Sequence, residues 1–229
     1  ALNKLHAACI IPSYYREHDG RSHEAQRQRG SFGMLAVDVD EGSPSRDQVV
    51  GAIESICGDV HMLCYSSSGP TTDNMKWRVI VPLKQPISGD DYSCFQQAFF
   101  ALLEREGITP DYVLSRPGQV MYLPNVPPER RDENGQPLFY ESSKIVGERF
   151  LTLDADHEIV VLAEEMRAER KRVRAEIEAE REKRQIDREL ARAENPDQIN
   201  PIDEFNKRHT VEDMLLRYGY DRLGSSDQW

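Results

Sequence analysis

The chain of 229 residues lacks any apolar run approaching the roughly 20 residues of a membrane-spanning helix. No charged-then-apolar leader opens it, so the expected location is the cytoplasm. Its four cysteines, at positions 9, 57, 64 and 94, show no paired C-x-x-C spacing and lie among apolar neighbours. Metal clips and a disulfide frame are therefore not expected, and buried reduced thiols are. Positive charge is in deficit, with 29 Lys and Arg against 40 Asp and Glu, a net charge of −11. That balance excludes a generally basic body coating nucleic acid through its summed field, and leaves room only for a local basic groove. Apolar residues make up 38% and aromatics 8% of the chain, so part of its length is not core.

Composition locates that part. Residues 164–193 read EEMRAERKRVRAEIEAEREKRQIDRELARA, while residues 1–149 carry nearly all the aromatics. Acids and bases three and four apart, such as Glu180 with Arg184, predict an exposed helix with a thin apolar stripe rather than a strong coiled coil. The expected division is a domain over 1–153, a long charged helix over 154–195, and a linker with a short helical tail over 196–229. ENPDQINP reads as the linker, and Thr210 as the cap of a helix ending at Gly219.

Within the first part, the polar stretch REHDGRSHEAQRQRG reads as an exposed loop or basic-tinged arm at 16–30. SFGMLAVDVD, 31–40, is a short apolar run broken by EGSPS, which predicts a buried strand entering a loop. Ser45 then caps a helix with apolar residues at 49, 50, 53 and 56. HMLCYSSS and MKWRVIVPL flank the turn chemistry of GPTTDN as a hairpin, with Pro82 expected to stop the second strand. A second amphipathic helix carries Phe95, Phe99, Leu102 and Leu103 and ends at Gly107. QVMYL, between Pro117 and Pro124, is the last strand candidate. The order β-α-β-β-α-β predicts an α+β fold, a mainly antiparallel sheet flanked by helices.

Three constellations carry candidate chemistry. Asp38 and Asp40 are two apart at a strand end, and alternation places both carboxylates on one side. Such pairs also arise where a strand simply runs into a turn. Two close carboxylates raise one another's pKa unless a cation neutralises them, and a hard cation such as Mg²⁺ favours carboxylates together with substrate phosphates. Ser66, Ser67 and Ser68 end one hairpin strand while Lys76 and Arg78 share a face of the next, a set of hydroxyls and bases suited to a triphosphate, though an ordinary solvated hairpin has the same composition. Asp111, Arg116 and Gln119 punctuate an otherwise apolar loop and strand, where Asp111 is either a third metal carboxylate or a turn cap. The Asp-x-Asp also occurs in phosphatases of the haloacid-dehalogenase type, but those continue with Thr or Val where this chain has Glu41-Gly42.

Taken in order, these segments resemble the archaeo-eukaryotic primase superfamily, in particular the primase-polymerase domains of phages, prophages and plasmids. That family shows an apolar strand ending in Asp-x-Asp, a Ser-x-His motif, a basic strand and a third acid. Phrases like RVIVPL and QVMYLP, here at 78–83 and 119–124, recur in its mobile-element branch, and DEFNKRHTVEDMLLRYGY at 203–220 looks like the segment leading toward a helicase. The resemblance covers about residues 30–126 and that tail. It implies a primase-polymerase (RRM-like) core and metal-dependent primer synthesis on a single-stranded DNA template. By the same resemblance, Asp38, Asp40 and Asp111 would bind Mg²⁺ or Mn²⁺, and Ser66, Ser68, Lys76, Arg78, Arg116 and Gln119 would bind the nucleoside triphosphate. A fused or associated helicase is the implied partner. Ser68 departs from the pattern by standing where relatives have histidine, which leaves Lys76 or Arg78 to supply that contact and leaves open a non-catalytic replication module built on the same sheet.

Overall fold

The computed structural model describes residues 7–71, 73–194 and 201–219. The chain enters through a short strand, β1 (Cys9–Ile10), and a helix, α1 (His23–Arg29). This helix lies inside the stretch expected to be a loop or arm. Ser22 caps it by accepting from Ala25 N, Ala25 and Gln26 are buried, and the Gln26 amide donates to the carbonyls of Tyr15 and Gly20. A polar segment is thus anchored by one buried amide rather than by an apolar stripe, which hydrophobic periodicity does not register.

β2 (Ser31–Val39) leads into α2 (Arg46–Cys57), which opens on a complete capping box between Ser45 and Gln48. β3 (Met62–Ser66) and β4 (Trp77–Ser88) follow, then α3 (Gly89–Arg105). β5 (Met121–Tyr122) and β6 (Ser142–Ile145) complete the strands, and α4 (Glu158–Glu194) is the long charged helix. The protein is α+β: a four-stranded antiparallel sheet in the order β2-β4-β3-β6, a separate β1-β5 ribbon, and flanking helices.

Register sorts the sheet into two faces. Val37, Val79 and Cys64 lie side by side across β2, β4 and β3 and are fully buried. They share one core with Val49 and Ile53 of α2 and Phe95, Phe99 and Leu103 of α3. Each such side chain contributes about 1.5–3 kcal/mol when fully buried. One residue along each strand, Asp38, Arg78 and Tyr65 form the next cross-strand row. Alternation turns that row to the opposite face.

Three strand expectations need correction. β4 does not stop at Pro82 but runs on to Ser88. Its pairing with β3 ends at Ile80, and the segment at Leu151 then bonds only Pro82 O and Lys84 N, so the proline's missing N–H is not called upon. QVMYL contributes only Met121 and Tyr122, and these pair with β1, not with the main sheet. The fourth strand of that sheet is β6, whose SSKI lacks the apolar alternation that marks a strand in sequence.

The chain divides into two compact units, Ala1–Lys171 and Arg172–Trp229. In the first, Ile159 and Ala163 near the start of α4 are buried, and Arg167 donates to Asp91 at 2.7 Å and Glu164 at 2.6 Å. In the second, α4 is exposed over 172–191 and carries pairs such as Arg184–Glu180 at 2.5 Å. α5 (Pro201–Arg208) and α6 (Val211–Arg217) follow, the latter with a Thr210–Asp213 capping box. Most of the ENPDQINP linker, residues 195–200, lies outside the described residues. All four cysteines are free thiols, with Cys57 and Cys64 buried and Cys9 and Cys94 partly so. Among the described residues no helix is long and apolar enough to cross a membrane.

Candidate active site

The antiparallel register of β2 and β4 sets Asp38 directly opposite Arg78. Arg78 Nε donates to Asp38 Oδ2 at 2.9 Å, and both side chains are almost fully buried. One step beyond the strand end, exposed Asp40 faces Lys76 Nζ at 3.4 Å. The hairpin bases expected to form a free cationic shelf are therefore each opposed to one of the two aspartates. Neither the acids nor the bases reveal this pairing until the strands are placed in register.

Asp38 is the unusual member. Its Oδ1 is buried and has no hydrogen-bond partner among the described residues. Burial pushes its carboxyl above the ordinary carboxylate range despite the attraction of Arg78, and the charges of Asp40 and Asp111 push the same way. Asp111 is drawn in through the backbone: its N–H donates to Asp38 O at 2.8 Å, and its Oδ1 accepts from Val113 N at 2.9 Å, capping a short 3₁₀ turn at Tyr112–Ser115. Of the two readings of Asp111, the turn cap is the one these contacts show.

A buried carboxylate oxygen without a donor is a position that a hard cation completes, and carboxylate oxygens are the ligands such cations select. Asp38, with Asp40 beyond it on the same strand end and Asp111 bonded to its backbone, is the acid to which this applies. As the side chains lie, among the described residues no three acidic, His or Cys groups are placed to hold a metal ion. Lys76 engages one oxygen of Asp40 and the Val113 amide one oxygen of Asp111.

Around this centre, Tyr65 donates its hydroxyl to Tyr122 O at 2.8 Å, and burial pushes its phenol up to about 12, so the proton stays in place. Arg78 Nη1 reaches the same carbonyl at 3.3 Å. Beside them opens a cavity of about 280 Å³ whose walls include Ser68, Gly69, Arg78, Tyr122, Asn125 and Arg130. The remaining site candidates lie apart. Ser66 is used structurally, its Oγ accepting from Glu141 N at 3.1 Å. Arg116 is exposed and outside the cavity walls, and the Gln119 amide turns to Val120 O at 3.4 Å. Tyr122, Asn125 and Arg130 went unread in the sequence. A Pro-rich loop carries no periodicity, and no spacing rule ties it to residues some fifty positions earlier.

The structure is similar to that of the AEP domain of the cyanophage S-2L primase-polymerase (PrimPol), with 19% identity over 58% of this chain and a TM-score of 0.36. The matched region spans 60% of the length of that domain chain. No family model and no curated protein matches the chain.

Proposed function

We propose that this chain is a metal-dependent nucleotidyltransferase, a DNA primase-polymerase that makes primers on a single-stranded DNA template. The observation that carries the reading is Asp38, an acid kept buried with one orphaned oxygen, flanked by two further acids and opposite a buried guanidinium. Most buried side-chain polar atoms have a hydrogen-bond partner, and among the described residues Asp38 Oδ1 shares its lack of one only with Gln26 Oε1. The order of the motifs along the chain, described above, supports the same reading.

In this scheme Asp38, Asp40 and Asp111 hold Mg²⁺ or Mn²⁺. Bound there, divalent cations would lower the pKa of an attacking 3′-hydroxyl and offset charge on the leaving pyrophosphate. Arg78 is fixed by Asp38 and Tyr122 O, so its guanidinium is oriented before substrate arrives. Lys76 can leave Asp40 for a phosphate oxygen, because an exposed pair of this kind is held by about 1 kcal/mol or less. The chain's acidic whole requires template binding to be local. A cavity of about 620 Å³ beside β1, whose walls carry Tyr15, Arg16, Glu17 and Arg21, would bring two guanidinium groups to a strand's phosphates. The helical tail, with its likeness to the segment preceding a helicase, would join the domain to a motor, and the setting would be the cytoplasm.

A second reading, a non-catalytic nucleic-acid-binding module, is favoured by Ser68 standing where the family pattern has histidine and by the pairing of both site aspartates with bases. Incubation with single-stranded template, labelled nucleoside triphosphates and Mg²⁺ or Mn²⁺ separates the two. Products that disappear in Asp38→Asn and Asp40→Asn support synthesis. Template binding with no product at any metal concentration supports the module, and phosphate release from simple monoesters would replace both with a phosphohydrolase.

A further inference from the structure

The cations expected to grip a triphosphate either have an acid partner in the resting site or lie away from the cavity. Arg78 serves Asp38 and Tyr122 O, Lys76 serves Asp40, and Arg116 lies off the cavity. Arg130 is different. It is half-buried in the wall of the cavity of about 280 Å³ that Arg78 and Ser68 also line, and its guanidinium has no ion pair or hydrogen bond among the described residues. Its backbone is nonetheless fixed on both sides: Arg130 N donates to Pro127 O at 3.0 Å, and Leu138 N donates to Arg130 O at 2.9 Å. The next residue shows the contrast, since Arg131 is consumed by the loop itself, donating to Val126 O at 3.1 Å and Gly135 O at 2.7 Å.

A guanidinium on an anchored backbone, without a partner among the described residues and lining a cavity with a serine hydroxyl, fits a phosphate group by charge and by fork geometry. Glu129 on the rim is the one acid among the wall residues, and it is exposed. We infer that Arg130 binds the phosphates of a nucleoside triphosphate in this cavity, with Ser68 as a neutral donor, and so supplies the substrate contact that the Ser68 departure removes. The inference rests on the nucleotidyl-transfer reading for its choice of ligand. It adds a binding residue from a loop that no motif of the chain marks.

The test is equilibrium binding of dATP and ATP in the presence of Mg²⁺, by titration calorimetry on the full chain, for wild type, Arg130→Ala, Arg130→Lys and the remote charge control Lys84→Ala. KM for the triphosphate in template-directed synthesis is measured beside it. Arg130→Ala is expected to weaken binding and raise KM by about 10- to 100-fold, the loss of a charge-assisted contact. Arg130→Lys should recover part of this, Lys84→Ala should match wild type, and thermal melting should be unchanged in all three. Wild type that makes primers while Arg130→Ala retains its affinity and KM overturns this inference and leaves the function standing. Wild type that makes no primers but binds triphosphate in an Arg130-dependent way does the reverse. Absence of triphosphate binding by wild type overturns both.

Discussion

Asp38→Asn separates what the buried aspartate does for the fold from what it does for chemistry. The substitution keeps the shape and keeps an acceptor for Arg78 Nε, but turns a charge-assisted bond into an ordinary one, a loss of about 1 kcal/mol. Against this, it removes a buried charge whose pKa is already raised, by burial first and by Asp40 and Asp111 in addition, with the attraction of Arg78 included in that balance. A raised pKa means that the folded state disfavours the ionised form, so its neutral isostere is not destabilising on that account. Arg78 also keeps its bond to Tyr122 O. The expected stability of the variant at pH 7 is within about 1 kcal/mol of wild type, against the roughly 3–5 kcal/mol lost when a purely structural buried pair is broken. The sign fixes the pH dependence. The penalty on wild type is full above the raised folded pKa and vanishes below the ordinary value of 3.8, so any advantage of Asn shrinks as pH falls through that window. Urea denaturation at pH 7 and near pH 4, with and without Mn²⁺, reads all of this. Mn²⁺ at a hundred times its Kd should stabilise wild type by about 2.7 kcal/mol and the variant far less. A loss of 3 kcal/mol or more in the absence of metal would refute the reasoning, because Asp38 would then be a structural member of its pair.

Further outcomes follow from the same structure. Arg78→Ala strands Asp38 as an uncompensated buried acid and should cost about 3–5 kcal/mol in denaturant melts, far more than Asp38→Asn. Gly51→Ala, in the interior of α2 with open space around its missing Cβ, should stabilise by about 0.5–1 kcal/mol in the same assay. Gly89→Ala should do the opposite by about 1–3 kcal/mol although alanine is the better helix former, because its Cβ would collide with the α1 backbone at Gln26 O and Arg27 O. Ser45→Ala removes the capping box of α2 and should cost about 1 kcal/mol.

Much of the fold is written in local pattern. The alternation and breakers of 31–44, the Ser45 cap and the apolar spacing of α2 and α3 are each resolved by residues within one or two turns of each other. What the sequence hid depends on partners far along the chain. α1 is secured by Gln26 reaching Tyr15 O and Gly20 O, β6 exists because β3 offers it an edge, and β4 passes Pro82 because its neighbour changes there. The site divides the same way. Asp38 and Asp40 stood out as a local motif, but their opposition to Arg78 and Lys76 is a fact of register, and a one-residue slip would have turned every side chain to the other face. Arg130 reaches the cavity only through the fold of the loop after β5.

The central claim is that Asp38, Asp40 and Asp111 together take a divalent cation at the end of β2. Titration of the full chain with Mn²⁺, followed by the electron paramagnetic resonance signal of the free ion, measures this without template or nucleotide. Wild type should bind Mn²⁺ at sub-millimolar concentration, and Asp38→Asn, Asp40→Asn and Asp111→Asn should each weaken binding by at least about tenfold, one carboxylate ligand being worth that much or more. Wild type that leaves Mn²⁺ free, or binding that all three substitutions leave unchanged, would contradict the account.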